Sequence, residues 1–159
     1  MAGSPDMVRA YLESIIERLT GVDKAVPDHE GDYAIEWAGA RFWARVDGSE
    51  VPVVRLYSTV LVQLEATPDL FVRLNDINSR MAFLRAFWVN GQVIFEHEHL
   101  GLSMEPEEFQ NSFRTIAQAS DFFGPQLHEE FGGQQGFHDS KTEDYETPAA
   151  HADGHPGYL

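Results

Sequence analysis

The stretch TPDLFVRLNDINSRMAFLRAFWVNGQVIFEHE, residues 67–98, decides the fold of this chain. Its first half predicts a helix. Thr67 suits the N-cap, and Pro68 suits the first helical position, where its missing N–H costs nothing. Apolar residues then recur at spacings of three and four, which places them on one helical face. They are Leu70, Leu74, Ile77 and Met81.

The second half of the stretch predicts a β-hairpin. Asn90-Gly91 separates two apolar runs, and this pair favours the two positive φ angles of a type I′ turn. The turn sets a register in which Val89 pairs with Gln92 and Arg85 with Glu96. One face of the hairpin then carries Leu84, Ala86, Trp88, Val93 and Phe95. The other face mixes aromatic and charged side chains: Phe83, Arg85, Phe87, Ile94, Glu96 and Glu98.

A helix bearing Leu74-Asn75-x-x-Asn78, an apolar hairpin, and a last helix that closes in Phe131-Gly132-Gly133 together resemble the YbjN-type domains of bacteria. That family is grouped with type III secretion chaperones of the CesT kind, which are presumed to bind peptides. The resemblance covers roughly residues 5–133. It implies a secretion-chaperone-like fold and a non-enzymatic peptide- or protein-binding role, and it brings no catalytic motif.

The bulk composition excludes several classes of function. The chain has 159 residues and a formal net charge of −15, from 11 Lys and Arg against 26 Asp and Glu. This balance opposes binding to nucleic acid or to an anionic membrane, because both depend on clustered cations. Cysteine is absent, so disulfides and thiolate chemistry are excluded. No apolar run approaches the ~20 residues of a membrane span, and we expect a cytoplasmic protein.

The rest of the chain predicts one α+β domain. An amphipathic helix opens at Pro5, and a hairpin from Asp32 to Val46 turns at Gly39-Ala40, with glycine where a type II′ turn requires it. A third strand follows, bent or bulged near Ser58-Thr59. The last helix opens at Pro106, and Gly124-Pro125 predicts a kink or a division into two helices.

The predicted order is therefore α-β-β-β-α-β-β-α, with a largely antiparallel, five-stranded sheet and helices mainly on one face. We expect the domain to span residues 1–133. Residues 134–159 lack Val and Ile and are rich in Gly, Pro, His and acidic residues, so we expect an acidic, disordered tail. The tail contains three histidines, His138, His151 and His155, which could bind a metal weakly, but the composition favours a disordered, polar segment.

The predicted sheet face without helices is the main candidate site. Exposed aromatic side chains beside arginines are typical of protein interfaces. The sequence leaves open whether this face binds an unidentified peptide or protein client or a second copy of the chain, and of the two we expect a homodimer. The residues placed there are Arg41, Trp43, Arg45, Phe83, Arg85, Phe87 and Ile94.

Two smaller candidates remain. Asn75 and Asn78 could bind the backbone of a ligand, but asparagine near a helix end more often bonds local backbone, so we expect a structural role. His97 and His99 project from one side of a strand and give the alternative function, a small metal-binding protein or enzyme. A third ligand is not identifiable and HExxH is absent, so we expect no metal or cofactor and a strand end that meets solvent.

Overall fold

The computed structural model describes residues 4–137, and they form an α+β domain in the predicted element order. The elements are α1 (Pro5–Thr20), β1 (Asp32–Trp37), β2 (Ala40–Asp47), β3 (Val53–Val62), α2 (Pro68–Arg80), β4 (Arg85–Val89), β5 (Gln92–Leu100), α3 (Pro106–Phe131) and β6 (Gln134–Gln135). A 3₁₀ turn at Gly101–Ser103 precedes α3. The sheet has the strand order β1-β2-β3-β5-β4, each neighbouring pair is antiparallel, and the two-residue strand β6 pairs with β3.

The hairpin of β4 and β5 forms in the predicted register. Arg85 pairs with Glu96 and Val89 with Gln92. Asn90 and Gly91 have φ angles of 47° and 79°, as a type I′ turn requires. Local turn chemistry therefore determines which side chains of this hairpin share a face.

The turn between β1 and β2 differs from the prediction. It lies at Ala38-Gly39, not Gly39-Ala40, and both residues have positive φ. The resulting register places Asp32 opposite Arg45 and Glu36 opposite Arg41. The predicted register forms neither of these pairs of opposite charge. The shift moves the pairing by two residues, so each side chain keeps its predicted face.

The core lies between the sheet and the three helices. It contains inward-facing strand residues such as Phe42 and Phe95 together with Leu12 of α1, Leu70 of α2 and Phe113 of α3. Tyr57 and Ile94 are buried but lie outside this core, on the opposite side of the sheet. The helices therefore cover one face, as predicted.

α3 is one continuous helix from Pro106 to Phe131, with Pro125 inside it. A proline removes one backbone hydrogen bond, but buried Phe123 and Leu127 on either side hold this helix against the sheet. Of the two predicted alternatives, the division into two helices is therefore wrong, and the kink stays a prediction. No helix within residues 4–137 is long and apolar enough to cross a membrane.

The fold continues past the expected boundary at Gly133. Gln134 and Gln135 pair with β3, and the ring of Phe137 is 4% exposed and lies 5.4 Å from the ring of Phe42. One large apolar side chain thus holds the start of a segment whose average composition predicts disorder. The rest of the expected tail, residues 138–159 with its histidines, lies outside the described residues.

Candidate functional site

The sheet face opposite the helices, called here the helix-free face, follows from the strand register. One row across it runs from Trp43 on β2 through Tyr57 and Glu96 to Arg85 on β4. A neighbouring row contains Arg45, Arg55 and Glu98. Predicted site residues on this face are Arg41, Trp43, Arg45, Arg85, Phe87 and Ile94.

Phe83 does not belong to this face. It precedes β4, has a φ of 61°, and its side chain is 86% exposed. Its ring lies 6.2 Å from that of His97, which is on the helix-covered side of β5. The alternation of side chains holds only within a strand, and the positive φ breaks it here.

A buried ion pair lies at the β1 side of the helix-free face. The guanidinium of Arg45 donates two hydrogen bonds to the carboxylate of Asp32, one of them from Nε at 2.6 Å. Arg45 is 9% exposed and Asp32 1%. Burial, and next the negative charge of Asp32, raise the pKa of Tyr57 and keep its phenol neutral. Arg45 is therefore committed to a structural pair and is not free to contact a partner.

A second charged cluster joins β2, β3, β5 and β4. Arg55 Nε lies 3.1 Å from the Asp47 carboxylate and 3.2 Å from that of Glu98. Arg85 pairs with Glu98 at 3.2 Å and also with Glu96, which is 3% exposed. Burial raises the pKa of Glu96, while Arg85 and Arg55 oppose the shift. The cluster holds these arginines in fixed positions.

Only part of the helix-free face can reach a partner. Ile94 is 2% exposed, so neighbouring side chains already cover it. Trp43 and Phe87 are partly exposed, and so are Arg41 and Arg85, whose side chains are 30% and 33% exposed. The Arg85 guanidinium lies 5.2 Å from the centre of the Phe87 ring, within cation–π range. We call Arg41, Trp43, Arg85 and Phe87 the accessible set.

Asn78 connects α2 to the end strand of the sheet. Its Nδ2 donates to the Ala86 carbonyl at 2.9 Å, and its Oδ1 accepts from the Ala86 N–H at 2.7 Å. One side-chain amide thus satisfies both backbone groups of a residue on β4. Asn75 lies exposed on the same helix.

His97 and His99 lie on the helix-covered side of β5 and are partly exposed, and His99 contacts Ser112 and Phe109 of α3. The two imidazole rings stack with centroids 4.8 Å apart, and His99 Nε2 lies 2.7 Å from Ser112 Oγ. Burial lowers the pKa of both imidazoles, that of His99 to about 4. Within residues 4–137, no cluster of three or more potential His, Cys, Asp or Glu ligands is placed to hold a metal ion.

An exposed apolar pair on α2 escaped the sequence reasoning. Phe71 is 48% exposed and Val72 70%, and the Phe71 ring lies 6.3 Å from that of Trp88 on β4. We call Phe71 and Val72 the α2 patch. The signal was available, because both are apolar yet lie off the buried stripe of Leu70 and Leu74.

Comparisons with known proteins place the chain in a structural context. A family model described as "TY-Chap1: T3SS (YopN, CesT) and YbjN peptide-binding chaperone 1" matches residues 6–139. A crystal structure of the ExsC–ExsE complex matches with a TM-score of 0.61 at 15% identity, over 75% of this chain and 95% of that chain. A structure of the HopA1–SchA chaperone–effector complex matches with a TM-score of 0.59 at 8% identity, over 76% and 98%. No curated protein matches the chain.

Proposed function

This chain belongs to the TY-Chap1 family of T3SS and YbjN peptide-binding chaperones, and from that premise we propose that it binds an extended segment of a protein client without catalysis. The contact surface in this proposal is the accessible set on the helix-free face. The client is a peptide or protein segment that places apolar side chains against Trp43 and Phe87. A cytoplasmic location stays a prediction.

The arrangement of Arg85 and Phe87 is the observation that carries the proposal. Glu96 and Glu98 hold the guanidinium of Arg85 over the Phe87 ring, so both side chains are ordered before a client arrives. Ordering a long side chain on binding costs about 0.5–1.5 kcal/mol, and a pre-ordered side chain avoids that cost. Arginine and aromatic residues are also the side chains that contribute most at protein interfaces.

Trp43 provides a second contact point at the far side of the same face. It lies on β2, with β3 and β5 between it and the strand that bears Phe87. At the usual strand spacing the two aromatic side chains are separated by about 15 Å. An extended peptide of about five residues covers that distance. The face therefore suits an extended segment better than a small molecule.

We also propose that the chain forms a homodimer in which the second copy binds at the α2 patch. This arrangement leaves the helix-free face to the client. Phe71 and Val72 are exposed, and Asn78 on the same helix bonds β4, an end strand of the sheet. An exposed apolar pair beside a sheet edge is a typical position for subunit contact. The homodimer expected from the sequence is thereby assigned to a different surface from the predicted one.

Substitution of Phe87 tests the proposed contact surface. Phe87→Asp places a carboxylate on a partly exposed site that the monomer tolerates, but a bound client would desolvate it at a cost of several kcal/mol. We expect Phe87→Asp to lose client capture from extracts of the source cells while its circular dichroism and thermal midpoint stay close to wild type.

The matched control is Phe122→Asp, because Phe122 is 64% exposed on α3, in the helix layer. That variant should capture the client as wild type does. Full capture by folded Phe87→Asp would refute the assignment of the client to the helix-free face.

A further inference from the structure

The segment 134–137 fills a slot where β2 and β3 diverge. The two strands pair from Asp47 and Val53 up to Trp43 and Tyr57, and beyond that point β3 pairs with β6 instead. The backbone of the segment bonds both sides: Gly136 N–H donates to the Val60 carbonyl at 3.0 Å, and Arg41 N–H donates to the Phe137 carbonyl at 3.3 Å. We call this gap, from Arg41 to residues 60–62, the strand slot.

Backbone hydrogen bonds and the buried side chain of Phe137 hold the segment in the strand slot. Gln134 and Gln135 are exposed, although their backbones pair with Val62 and Leu61. Gly136 lies so close to β3 that a Cβ there would sit 3.1 Å from the Thr59 carbonyl oxygen. Backbone pairing combined with a pocket for one side chain is the way that sheets bind added peptide strands.

A half-open cavity of about 450 Å³ lies beside the buried side chain of Phe137, which we call the anchor, and its volume is within the size range of ligand sites. Ser120 lines this cavity and is only 4% exposed. Its Oγ has no hydrogen-bond partner among the described residues. Among the described residues, this site therefore has space and a polar group that residues 134–137 do not use. The lining consists of Val60, Ser120, Asp121, Gly124, Pro125, Gln135 and Phe137.

The segment joins the body of the domain through two glycines. Gly132 and Gly133 follow α3 directly, and both have positive φ. Glycine adopts such angles without steric cost and loses the most conformational freedom when fixed. These two glycines therefore suit a connection that allows residues 134–137 to detach from the strand slot and bind there again while α3 stays in place.

We propose that the strand slot is a peptide-docking site and that residues 134–137 occupy it as an internal competitor. This inference rests on the proposed peptide-binding function and specifies a second contact for the same client. The client segment has extended backbone, a glycine or other small residue, and then an aromatic side chain, as in Gln135-Gly136-Phe137. Arg41 borders the slot and belongs to the accessible set, so a client on the helix-free face reaches the slot directly.

A peptide of the chain's own sequence tests this competition. The probe is fluorescein-labelled GGQQGFHD, residues 132–139, titrated by anisotropy into the full-length protein. A tethered competitor acts at an effective concentration in the millimolar range, so wild type should bind the probe weakly. Phe137→Ala removes the anchor of the competitor, and we expect it to bind the probe about tenfold or more tightly than wild type does. The same peptide carrying Phe137→Ala should not bind.

The result that would overturn the inference is a folded Phe137→Ala protein that binds the probe no better than wild type. If Phe137→Ala unfolds, hydrogen exchange on wild type decides instead. The Gly136 amide should exchange through local opening, faster than the amides of core α3, and protection equal to the core would show that the segment cannot leave. Neither measurement includes a client. A negative result in both would therefore refute the competition by residues 134–137, and the client-binding proposal would still be tested separately with Phe87→Asp.

Discussion

At the scale of single residues, Asn78 closes part of a sheet edge that would otherwise be open. β4 has a paired neighbour on one side, and the outward backbone groups of Ala86 bond the Asn78 amide instead of a second strand. Unpaired edges attract strands from other chains, so this bond also limits unwanted association. We expect Asn78→Ala to lower the free energy of unfolding by about 1–2 kcal/mol, since two hydrogen bonds are lost.

Asn75→Ala is the matched control, because it removes the same amide from an exposed position on the same helix. Its free energy of unfolding in urea should stay within about 0.5 kcal/mol of wild type. Equal stabilities for the two variants would mean that the bonds to Ala86 do not hold the junction between α2 and β4.

His99 gives the domain a pH dependence of known sign. Its pKa is lowered by burial from the ordinary 6.5 to about 4, and the neighbouring His97 adds to the shift while Glu108 opposes it. Between these two pKa values the unfolded chain binds more protons than the folded one, so stability falls as the pH drops from about 6.5 towards 4. Glu96 acts in the opposite direction, because burial raises its pKa.

A His99→Gln variant separates these contributions. Urea unfolding at about pH 7 and about pH 5 should show a smaller loss of stability for this variant than for wild type, since no imidazole remains to be protonated at that position. His128→Gln removes an exposed histidine of α3 and should keep the wild-type loss. An unchanged pH dependence in His99→Gln would contradict the assignment.

At the scale of elements, the α2 patch predicts subunit contact. Val72 is 70% exposed, so Val72→Asp should leave the fold intact while placing a charge in the proposed dimer interface. Sedimentation equilibrium should find a dimer for wild type and a monomer for Val72→Asp. Val26→Asp, at an exposed loop position, should stay dimeric. A monomeric wild type would show that the chain forms no dimer. A dimeric Val72→Asp would show that the subunits do not contact each other at the α2 patch.

Elements governed by neighbouring residues were predictable from the sequence, and those governed by distant ones were not. Thr67 and Asn90-Gly91 act within a few residues, and the α2 cap and the β4–β5 register agree with the prediction. The β1–β2 turn depends on charge pairing at the far end of the hairpin, between Asp32 and Arg45, so turn chemistry alone misplaced it.

The candidate site was predictable as a face but not as an accessible surface. Strand alternation places Arg45 and Ile94 correctly on the helix-free face, but it contains no information on which side chains neighbours will cover. The prediction for Phe83 was wrong because its positive φ breaks the alternation of side chains. The buried position of Phe137 was not predicted, because the composition of the segment around it favours disorder.

At the scale of the whole molecule, the sheet separates two kinds of surface. The helix-covered face forms the core with Phe95 and Phe113, and a truncation there would unfold the domain. The helix-free face is stabilised by ion pairs such as Arg45 with Asp32, which hold its side chains in place without a helix above them. The exposed aromatic side chains can therefore differ in role from the buried ones of the same sheet.

Site-specific photocrosslinking tests the assignment of the client to the helix-free face most directly. A benzophenone amino acid replaces Trp43 in one protein and Phe122 in another, and each is irradiated in extracts of the source cells. The proposed function predicts a client adduct from the Trp43 position and none from Phe122, which lies in the helix layer. An adduct from the Phe122 position alone, with both proteins folded, would contradict the claim that the client binds the helix-free face.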